Sequence, residues 1–266
     1  MTINGINIDL NKTNIMGILN VTPDSFSDGG SFCELDKALF HCEQMINDGA
    51  AVIDIGGEST RPGYTPVSID DEISRVVPVI EGIKKRFQTV ISLDTMKPAV
   101  AKAGLVAGAD IINDVSGLMQ SDEMDKVVAE SGAYYIVMHN KAVPTECGYE
   151  TLYNEMNQIV TRARNNGVSD EKIIIDPGVG FAKTKEEDLM CIRRLADLKK
   201  MGYPVLLGCS RKSCIGYVLD NKIDERMVGT LATTAMAVNA GISFVRVHDV
   251  KENADFIKMY ERLLNQ

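Results

Sequence analysis

Short apolar runs alternate along this chain with longer segments of helical periodicity. Each run is rich in Val, Ile or Leu and is mostly uninterrupted by polar residues. Runs of this kind are typical of parallel strands that are buried on both faces of a sheet. The runs are Ile15–Leu19, Val52–Ile55, Val90–Leu93, Ile111–Ile112, Tyr134–Met138, Ile173–Ile175, Val205–Leu207 and Phe244–Val247.

Amphipathic helices are predicted between and after these runs. They lie near Asp36–Asp48, Ile69–Phe87, Pro98–Ala107, Asp122–Ser131, Leu152–Asn166, Lys185–Met201, Glu225–Asn239 and Asn253–Leu264. Ser68 with Asp71 resembles a capping box, and Pro98 suits a first helical turn. A glycine that fits a C-terminal stop follows most of these helices. The stops are Gly49, Gly108, Gly132, Gly167, Gly202 and Gly241.

The repeated alternation of strand and helix predicts an α/β fold, a single (β/α)8 TIM barrel. An open doubly wound sheet is the competing fold, but it needs fewer strands or a break in the pattern. Thr2–Leu10 alternates apolar and polar residues around Asn4 and Gly5, which predicts a short N-terminal β-hairpin within residues 1–13. Because no linker-like or low-complexity stretch interrupts the pattern, we expect residues 1–266 to form one domain.

Composition narrows the classes of partner. Hydrophobic residues make up 45% of the chain and charged residues 24%, as in soluble globular proteins. The net charge of -9 argues against nucleic acid or an anionic membrane as the main partner. The N-terminus has no signal-peptide pattern, and no apolar run approaches the roughly 20 residues of a membrane helix. The six cysteines show no zinc-site spacing, so we expect reduced thiols and a cytoplasmic location.

Polar side chains stand at the end of nearly every apolar run. They are Asn20, Asp54, Asp94, Asn113, His139, Asp176, Lys212, Arg246 and His248. Active sites of such barrels lie at the C-terminal ends of the strands. Taken singly, Asp94 and Asp176 could cap helices, His139 could be a hydrogen-bonded buried histidine, and Arg211 and Lys212 could be solvated. Helix capping accounts for neither the arginine nor the lysine, so the pattern favours a functional site.

The residue types suggest a ligand with two chemically different ends. Asp94, Asn113, Asp176 and Lys212 suit the edge of a planar heterocycle that has both donors and acceptors.

The second group of polar residues suits an anion. Arg61, Arg246 and His248 fit phosphate oxygens, which Arg binds in bidentate fashion. Asn20 suits Mg²⁺ that is held mainly by phosphate oxygens and water. No Walker pattern, His-Glu-x-x-His motif or nucleophile elbow is present, and Gly178–Phe181 lacks the third glycine of a dinucleotide fingerprint.

Several stretches resemble the dihydropteroate synthases of the folate pathway, and they follow the family order over nearly the whole chain. The first two stretches are long and specific, whereas the others would be weak alone. They are residues 20–30 (NVTPDSFSDGG), 54–63 (DIGGESTRPG), 92–95 (SLDT), 113–117 (NDVSG), 176–181 (DPGVGF), 210–213 (SRKS) and 246–249 (RVHD).

The resemblance implies the condensation of 6-hydroxymethyl-7,8-dihydropterin diphosphate with 4-aminobenzoate, giving 7,8-dihydropteroate and pyrophosphate. It implies dissociative loss of pyrophosphate, attack by the aryl amine and Mg²⁺ as cofactor. By similarity, the pterin site is Asp94, Asn113, Asp176 and Lys212, and the diphosphate site is Asn20, Arg61, Arg246 and His248. The 4-aminobenzoate site, where sulfonamides compete, is Phe26, Thr60, Pro62, Phe181 and Ser213. The residues expected to act in catalysis are Asp94, Lys212, Arg246 and Asn20, with Asn20 as the metal ligand.

Two alternatives to the synthase remain at this stage. A methyltetrahydrofolate-dependent corrinoid methyltransferase also holds pterin at strand ends, but it needs neither an Arg-rich diphosphate site nor the Ser-Arg-Lys-Ser loop. A non-catalytic pterin-binding paralogue predicts the loss of a loop or diphosphate residue, and none is missing. The resemblance also implies a homodimer formed through late helices. The loop Lys141–Tyr149 matches nothing recognisable, and this departure puts no expected site residue in doubt.

Overall fold

Eight parallel strands form the central sheet, and a small antiparallel hairpin precedes it. The computed structural model describes residues 1–22, 31–58, 66–119, 122–143 and 148–264, with side chains of the first helix described from residue 35. The strands are β1 (Thr2–Ile3), β2 (Ile6–Asn7), β3 (Asn14–Asn20), β4 (Ala50–Gly56), β5 (Val90–Asp94), β6 (Ile111–Asp114), β7 (Tyr134–Met138), β8 (Ile173–Asp176), β9 (Leu206–Leu207) and β10 (Phe244–Val247).

Helices connect successive strands of the sheet. They are α1 (Ser31–Asn47), α2 (Ile69–Arg86), α3 (Pro98–Ala107), α4 (Asp122–Ser131), α5 (Tyr149–Asn165), α6 (Lys185–Arg193), α7 (Leu195–Lys199), α8 (Ser213–Leu219), α9 (Met227–Ala240) and α10 (Val250–Leu264). None of the described helices is both long and apolar enough to cross a membrane. Each of the six glycines predicted to end a helix has a positive φ, which explains why the helices stop there.

The strands close into the predicted TIM barrel. Their order is β8-β7-β6-β5-β4-β3-β10-β9, and a parallel bridge between Ile175 and Val205 joins the two ends of this order. The N-terminal hairpin is also confirmed. Asn4 and Gly5 form its turn with φ of 47° and 80°, the left-handed pair that a two-residue hairpin turn requires.

The two-residue period of each strand sorts side chains between the barrel interior and the helix layer. In β4, Val52 belongs to the interior cluster, whereas Ile53 and Ile55 pack outward against the helices. Asp54, two residues after Val52, therefore faces the interior again. The same step in β10 leads from Phe244 to Arg246. An apolar inner layer thus lies below a polar one at the C-terminal ends of the strands.

The hairpin covers the opposite end of the barrel. Ile3 and Ile8 are buried in the interior cluster together with the apolar inner layer. That layer comprises Met16, Val52, Val90, Ile111, Tyr134, Ile136, Ile174, Leu206 and Phe244. Because this end is filled with apolar side chains, only the C-terminal mouth is left to admit a polar ligand.

The predicted helix boundaries needed two corrections. The segment Lys185–Met201 is two helices, because the backbone leaves helical geometry at Arg194, whose guanidinium stacks 4.1 Å from the Tyr149 ring centroid. The helix α8 was not predicted. Its sequence carries Gly216 and three exposed apolar residues, so it lacks a helical hydrophobic pattern.

Candidate active site

Arg246 lies at the centre of the polar inner layer. Its Nε donates to Asp54 Oδ2 over 2.5 Å and its Nη2 donates to Asp94 Oδ2 over 2.7 Å. The three residues come from β10, β4 and β5, so the ion pairs hold separate strands together at the mouth. A guanidinium has five N–H donors. Two are used in these bonds, which leaves donors for an anion.

Asp54 also accepts a contact from the amide of Asn113, which lies on β6, two strands around the barrel from β4. The Asn113 amide lies 3.3 Å and 3.4 Å from the two carboxylate oxygens of Asp54, and both residues are buried. This contact fixes the orientation of the amide. The sequence pattern alone assigns Asp54 no role in ligand binding. A carboxylate inside the apolar run Val52–Ile55 is nevertheless a signal, since a buried charge requires a partner.

Asp94 is buried beside other carboxylates. Burial, together with the charges of Asp54 and Glu72, raises the pKa of Asp94 to about 7, although Arg246 opposes the shift. Its Oδ1 is buried and has no hydrogen-bond partner among the described residues. Asp94 does not cap a helix, because α3 begins only at Pro98. The site therefore presents one unpaired carboxylate oxygen to the barrel mouth.

Asp176 and Lys212 form the opposite wall of the mouth. Asp176 ends β8, and its Oδ1 accepts a hydrogen bond from the Gly178 N–H over 2.7 Å. Burial raises the pKa of Asp176, whereas burial and the charge of Arg246 lower the pKa of Lys212. The Lys212 ammonium lies 4.1 Å from the Phe181 ring centroid. A carboxylate, a cation and an aromatic face thus adjoin one another.

The loops after β9 and β10 are joined by two contacts. Arg211 pairs with Asp249 through Nε at 3.0 Å and through Nη2 at 2.5 Å, so it is not simply solvated. Ser210 Oγ accepts from the His248 backbone N–H and lies 3.0 Å from His248 Nδ1. This contact holds the His248 ring in one orientation beside the loop after β9. A histidine is a residue type that suits an anion.

Asn20 ends β3 beside Gly56 of β4, and a side chain built at Gly56 would approach the Asn20 amide oxygen within 3.7 Å. In the described ranges no group of three His, Cys, Asp or Glu is arranged to hold a metal ion. A single amide oxygen next to an anion site is a donor set that suits Mg²⁺, since this ion keeps several waters and binds phosphate oxygens. Asn20 therefore suits the role expected of it, that of a single protein ligand to Mg²⁺.

The structure brings most of the described site residues together at the barrel mouth. Asp94, Asn113 and Arg246 are joined in one hydrogen-bonded network through Asp54, and Asp176, Lys212 and Phe181 form the opposite wall. Ser213 begins α8, is exposed and accepts from the Lys185 ammonium over 2.7 Å. Asn20 ends β3 and His248 directly follows β10. Four predicted residues lie outside the described part of the chain. They are Phe26, Thr60, Arg61 and Pro62.

Three comparisons place the chain among known proteins. A profile described as pterin binding enzyme matches residues 16–248. Dihydropteroate synthase of Bacillus subtilis is 49% identical over 259 residues, covering 96% of this chain and 90% of the relative. A Clostridium difficile dihydropteroate synthase structure, determined in the presence of pteroic acid, matches with a TM-score of 0.91 and 44% identity over 96% of this chain and 98% of that one.

The same fold recurs in a more distant relative. Dihydropteroate synthase of Xanthomonas albilineans in complex with 7,8-dihydropteroate has a TM-score of 0.89 at 33% identity, covering 97% of this chain and 96% of that one. Similarity over the full length at this identity favours the synthase family over the corrinoid methyltransferases, and the shared fold is a closed barrel rather than an open sheet. The chain belongs to the pterin binding enzymes and, within them, to the dihydropteroate synthase family.

Proposed function

We propose that this chain condenses 6-hydroxymethyl-7,8-dihydropterin diphosphate with 4-aminobenzoate through the residues of the polar inner layer. The observation that carries these roles is the convergence of Asp94, Asn113, Asp176 and Lys212 on one barrel mouth. One relative was determined in the presence of pteroic acid and another in complex with 7,8-dihydropteroate, the product of this reaction. The reaction is that of the dihydropteroate synthase family, and the geometry of the site supports the roles proposed here for the individual residues.

Asp94 and Asp176 accept N–H groups of the pterin in this proposal, and Asn113 and Lys212 meet its polar edge. Loss of pyrophosphate in a dissociative step leaves positive charge on the pterin methylene and ring. The Asp94 carboxylate, whose Oδ1 has no partner among the described residues, stabilises that charge. The attacking nucleophile is the aryl amine of 4-aminobenzoate, so the protein supplies none.

The diphosphate is received by Asn20, Arg246 and His248, together with Arg61. Three N–H groups of Arg246 are not used by Asp54 and Asp94, and His248, which is held by Ser210, directly follows the same strand. Mg²⁺ held at Asn20 would neutralise charge on the leaving group.

The 4-aminobenzoate lies against the Phe181 ring in this proposal, near Ser213 at the start of α8. Phe26, Thr60 and Pro62 border the same site. The ammonium of Lys212 above the Phe181 ring separates this site from the pterin site, so one residue borders both substrates.

Mixing the purified protein with both substrates and Mg²⁺ should release pyrophosphate and form dihydropteroate in equal amounts. Chromatography measures the dihydropteroate formed, and a coupled assay measures the pyrophosphate released. Omitting 4-aminobenzoate or chelating Mg²⁺ should reduce dihydropteroate formation to background. A protein that is folded but makes no dihydropteroate would contradict the proposal, and full activity in the presence of a chelator would contradict the Mg²⁺ role.

Affinity for the dihydropterin alcohol, which lacks phosphate, should rise with pH as Asp94 ionises. The pKa of Asp94 is raised to about 7, so below that pH the carboxyl is protonated and accepts N–H groups poorly. Asp54→Asn removes a neighbouring negative charge and should move the midpoint to lower pH. Calorimetric titrations between about pH 5.5 and 8.5 measure this shift. The exposed Asp255→Asn is the matched control, and an unmoved midpoint in Asp54→Asn would refute the assignment.

We also infer a homodimer and a cytoplasmic location. The helices α8 and α9 and the turn between them expose large apolar side chains that a second copy would cover. These are Tyr217, Val218, Leu219, Ile223 and Val228. Light scattering after size exclusion tests the dimer, and a monomer mass at micromolar concentration would contradict it. A buried free thiol, as at Cys42, suits a reducing compartment.

A further inference from the structure

A lysine ammonium fills the centre of the turn that follows β8. Lys183 Nζ lies 2.9 Å from the Gly178 carbonyl oxygen and 3.1 Å from that of Phe181. It also lies 3.2 Å from the His139 carbonyl oxygen and 2.8 Å from His139 Nδ1, at the end of β7. We call this group the Lys183 clamp: the Lys183 ammonium, His139, and the carbonyls of Gly178 and Phe181. The clamp joins two neighbouring strand ends of the barrel.

The protonation state of His139 follows from its partners. A lysine ammonium is only a donor, so Nδ1 must accept, and the ring hydrogen lies on Nε2. Nε2 is 2.6 Å from Glu155 Oε2, which accepts that hydrogen. Burial and the nearby Lys183 charge lower the pKa of His139 to about 4. The imidazole is therefore neutral at physiological pH, and it acts as a fixed acceptor for the lysine.

The turn held by the clamp has an unusual backbone. Gly178, Gly180 and Ala182 have φ of 67°, 84° and 45°, so three of five consecutive residues are left-handed. Ala182 has no glycine freedom, and such a conformation persists only when surrounding contacts enforce it. A side chain at Gly178 would lie 2.0 Å from the His139 carbonyl oxygen, so the turn is pressed directly onto the end of β7. The lysine supplies the donors that hold this arrangement.

The same turn carries residues of both proposed substrate sites. The Gly178 N–H bonds Asp176 on the pterin side, and the Phe181 ring faces Lys212 on the aminobenzoate side. Gly180 also approaches the Lys212 stem, since a side chain there would lie 3.0 Å from Lys212 Cδ. A change in the shape of this turn would therefore move both site walls together.

We propose that Lys183 is a positioning residue for the condensation reaction. This inference rests on the proposed function of the surrounding site. The Lys183 ammonium binds the carbonyls of Gly178 and Phe181 in the turn and the carbonyl of His139 after β7. It thereby fixes the positions of Asp176 and Phe181 relative to each other. Without the ammonium, three carbonyl oxygens would converge with no donor, and the turn would open. The diphosphate residues Asn20 and His248 lie on other strands, so their geometry would not depend on the clamp.

The first test is Lys183→Met, which keeps the length of the side chain and removes its charge and donors. The turnover number should fall and the Kd for the dihydropterin alcohol should rise, each by roughly 10- to 100-fold, because a displacement of about 1 Å has effects of this size. Inhibition by pyrophosphate should change less than about twofold. A purely structural role would weaken both ligands alike. Lys251→Met, which removes an exposed ammonium paired with Asp255, is the matched control.

A second pair of variants keeps the proposal testable if Lys183→Met does not fold. His139→Asn keeps an oxygen acceptor near the position of Nδ1, whereas His139→Leu removes it. The asparagine variant should retain more turnover and tighter pterin binding than the leucine variant. Equal values for the two, or wild-type turnover and pterin affinity in a folded Lys183→Met, would overturn the positioning role. A wild-type protein without synthase activity would instead refute the proposed function, which the same assay tests separately.

Discussion

Arg246→Met should lower the free energy of unfolding by about 3 to 5 kcal/mol, the usual effect of removing one partner from a buried ion pair. The substitution leaves the Asp54 carboxylate, which is fully buried, and the Asp94 carboxylate without their shared cation. Asn113 bonds Asp54 only weakly, at 3.3 Å or more, and cannot replace the guanidinium charge. Urea unfolding followed by circular dichroism measures the loss.

Asp54→Asn in the same chain should recover at least about half of that loss. The double variant no longer contains the fully buried anion, and coupled residues of one network are not additive. Arg164→Met is the matched control, since its pair with Asp170 is more than half exposed and should contribute less than about 1 kcal/mol. A loss in Arg246→Met no larger than in this control would mean that the carboxylates need no cation.

This prediction changes how Arg246 is understood. From sequence it belonged to an anion site, because an arginine on the last strand next to His248 suits phosphate. The structure adds a second task, since two of its donors hold β4 and β5 to β10. Arg246 and Asp54 are 192 residues apart in the chain. Only closure of the barrel brings them together, and no local pattern reports which strand ends will meet.

The fold itself was largely predictable, because the barrel strands are apolar runs and most helices have their own period and stop signals. The two-residue side-chain period of β4 explains why both Val52 and Asp54 face the barrel interior, Val52 in the apolar layer and Asp54 at the mouth. Failures occurred where tertiary contacts decide local structure. The break at Arg194 coincides with the stacking of its side chain on Tyr149, and the Lys183 clamp depends on the His139 carbonyl, which follows a neighbouring strand. Neither contact is visible in the local sequence.

Lys212→Met should lower turnover by roughly 10²- to 10³-fold, the effect of removing a preorganised electrostatic group, while leaving the fold intact. Burial and the charge of Arg246 lower the pKa of Lys212, so the charged form is less favoured in the folded chain than in the unfolded one. Removing that charge therefore relieves a desolvation penalty at neutral pH, which offsets the loss of the contact with the Phe181 ring and of the attraction to Asp176. We expect the unfolding free energy to change by less than about 1 kcal/mol.

The predictions for Lys212 and Arg246 thus differ in stability: removing Arg246 should destabilise the fold, whereas removing Lys212 should not. Both are cations at the barrel mouth, but Arg246 is held by two carboxylates, whereas Lys212 lies over an aromatic ring with Asp176 nearby. Steady-state turnover, pterin affinity by calorimetry and urea unfolding should be measured on both variants, with Lys251→Met as the control. Turnover of Lys212→Met within about threefold of wild type, or a stability loss as large as that of Arg246→Met, would show that Lys212 serves the fold rather than the reaction.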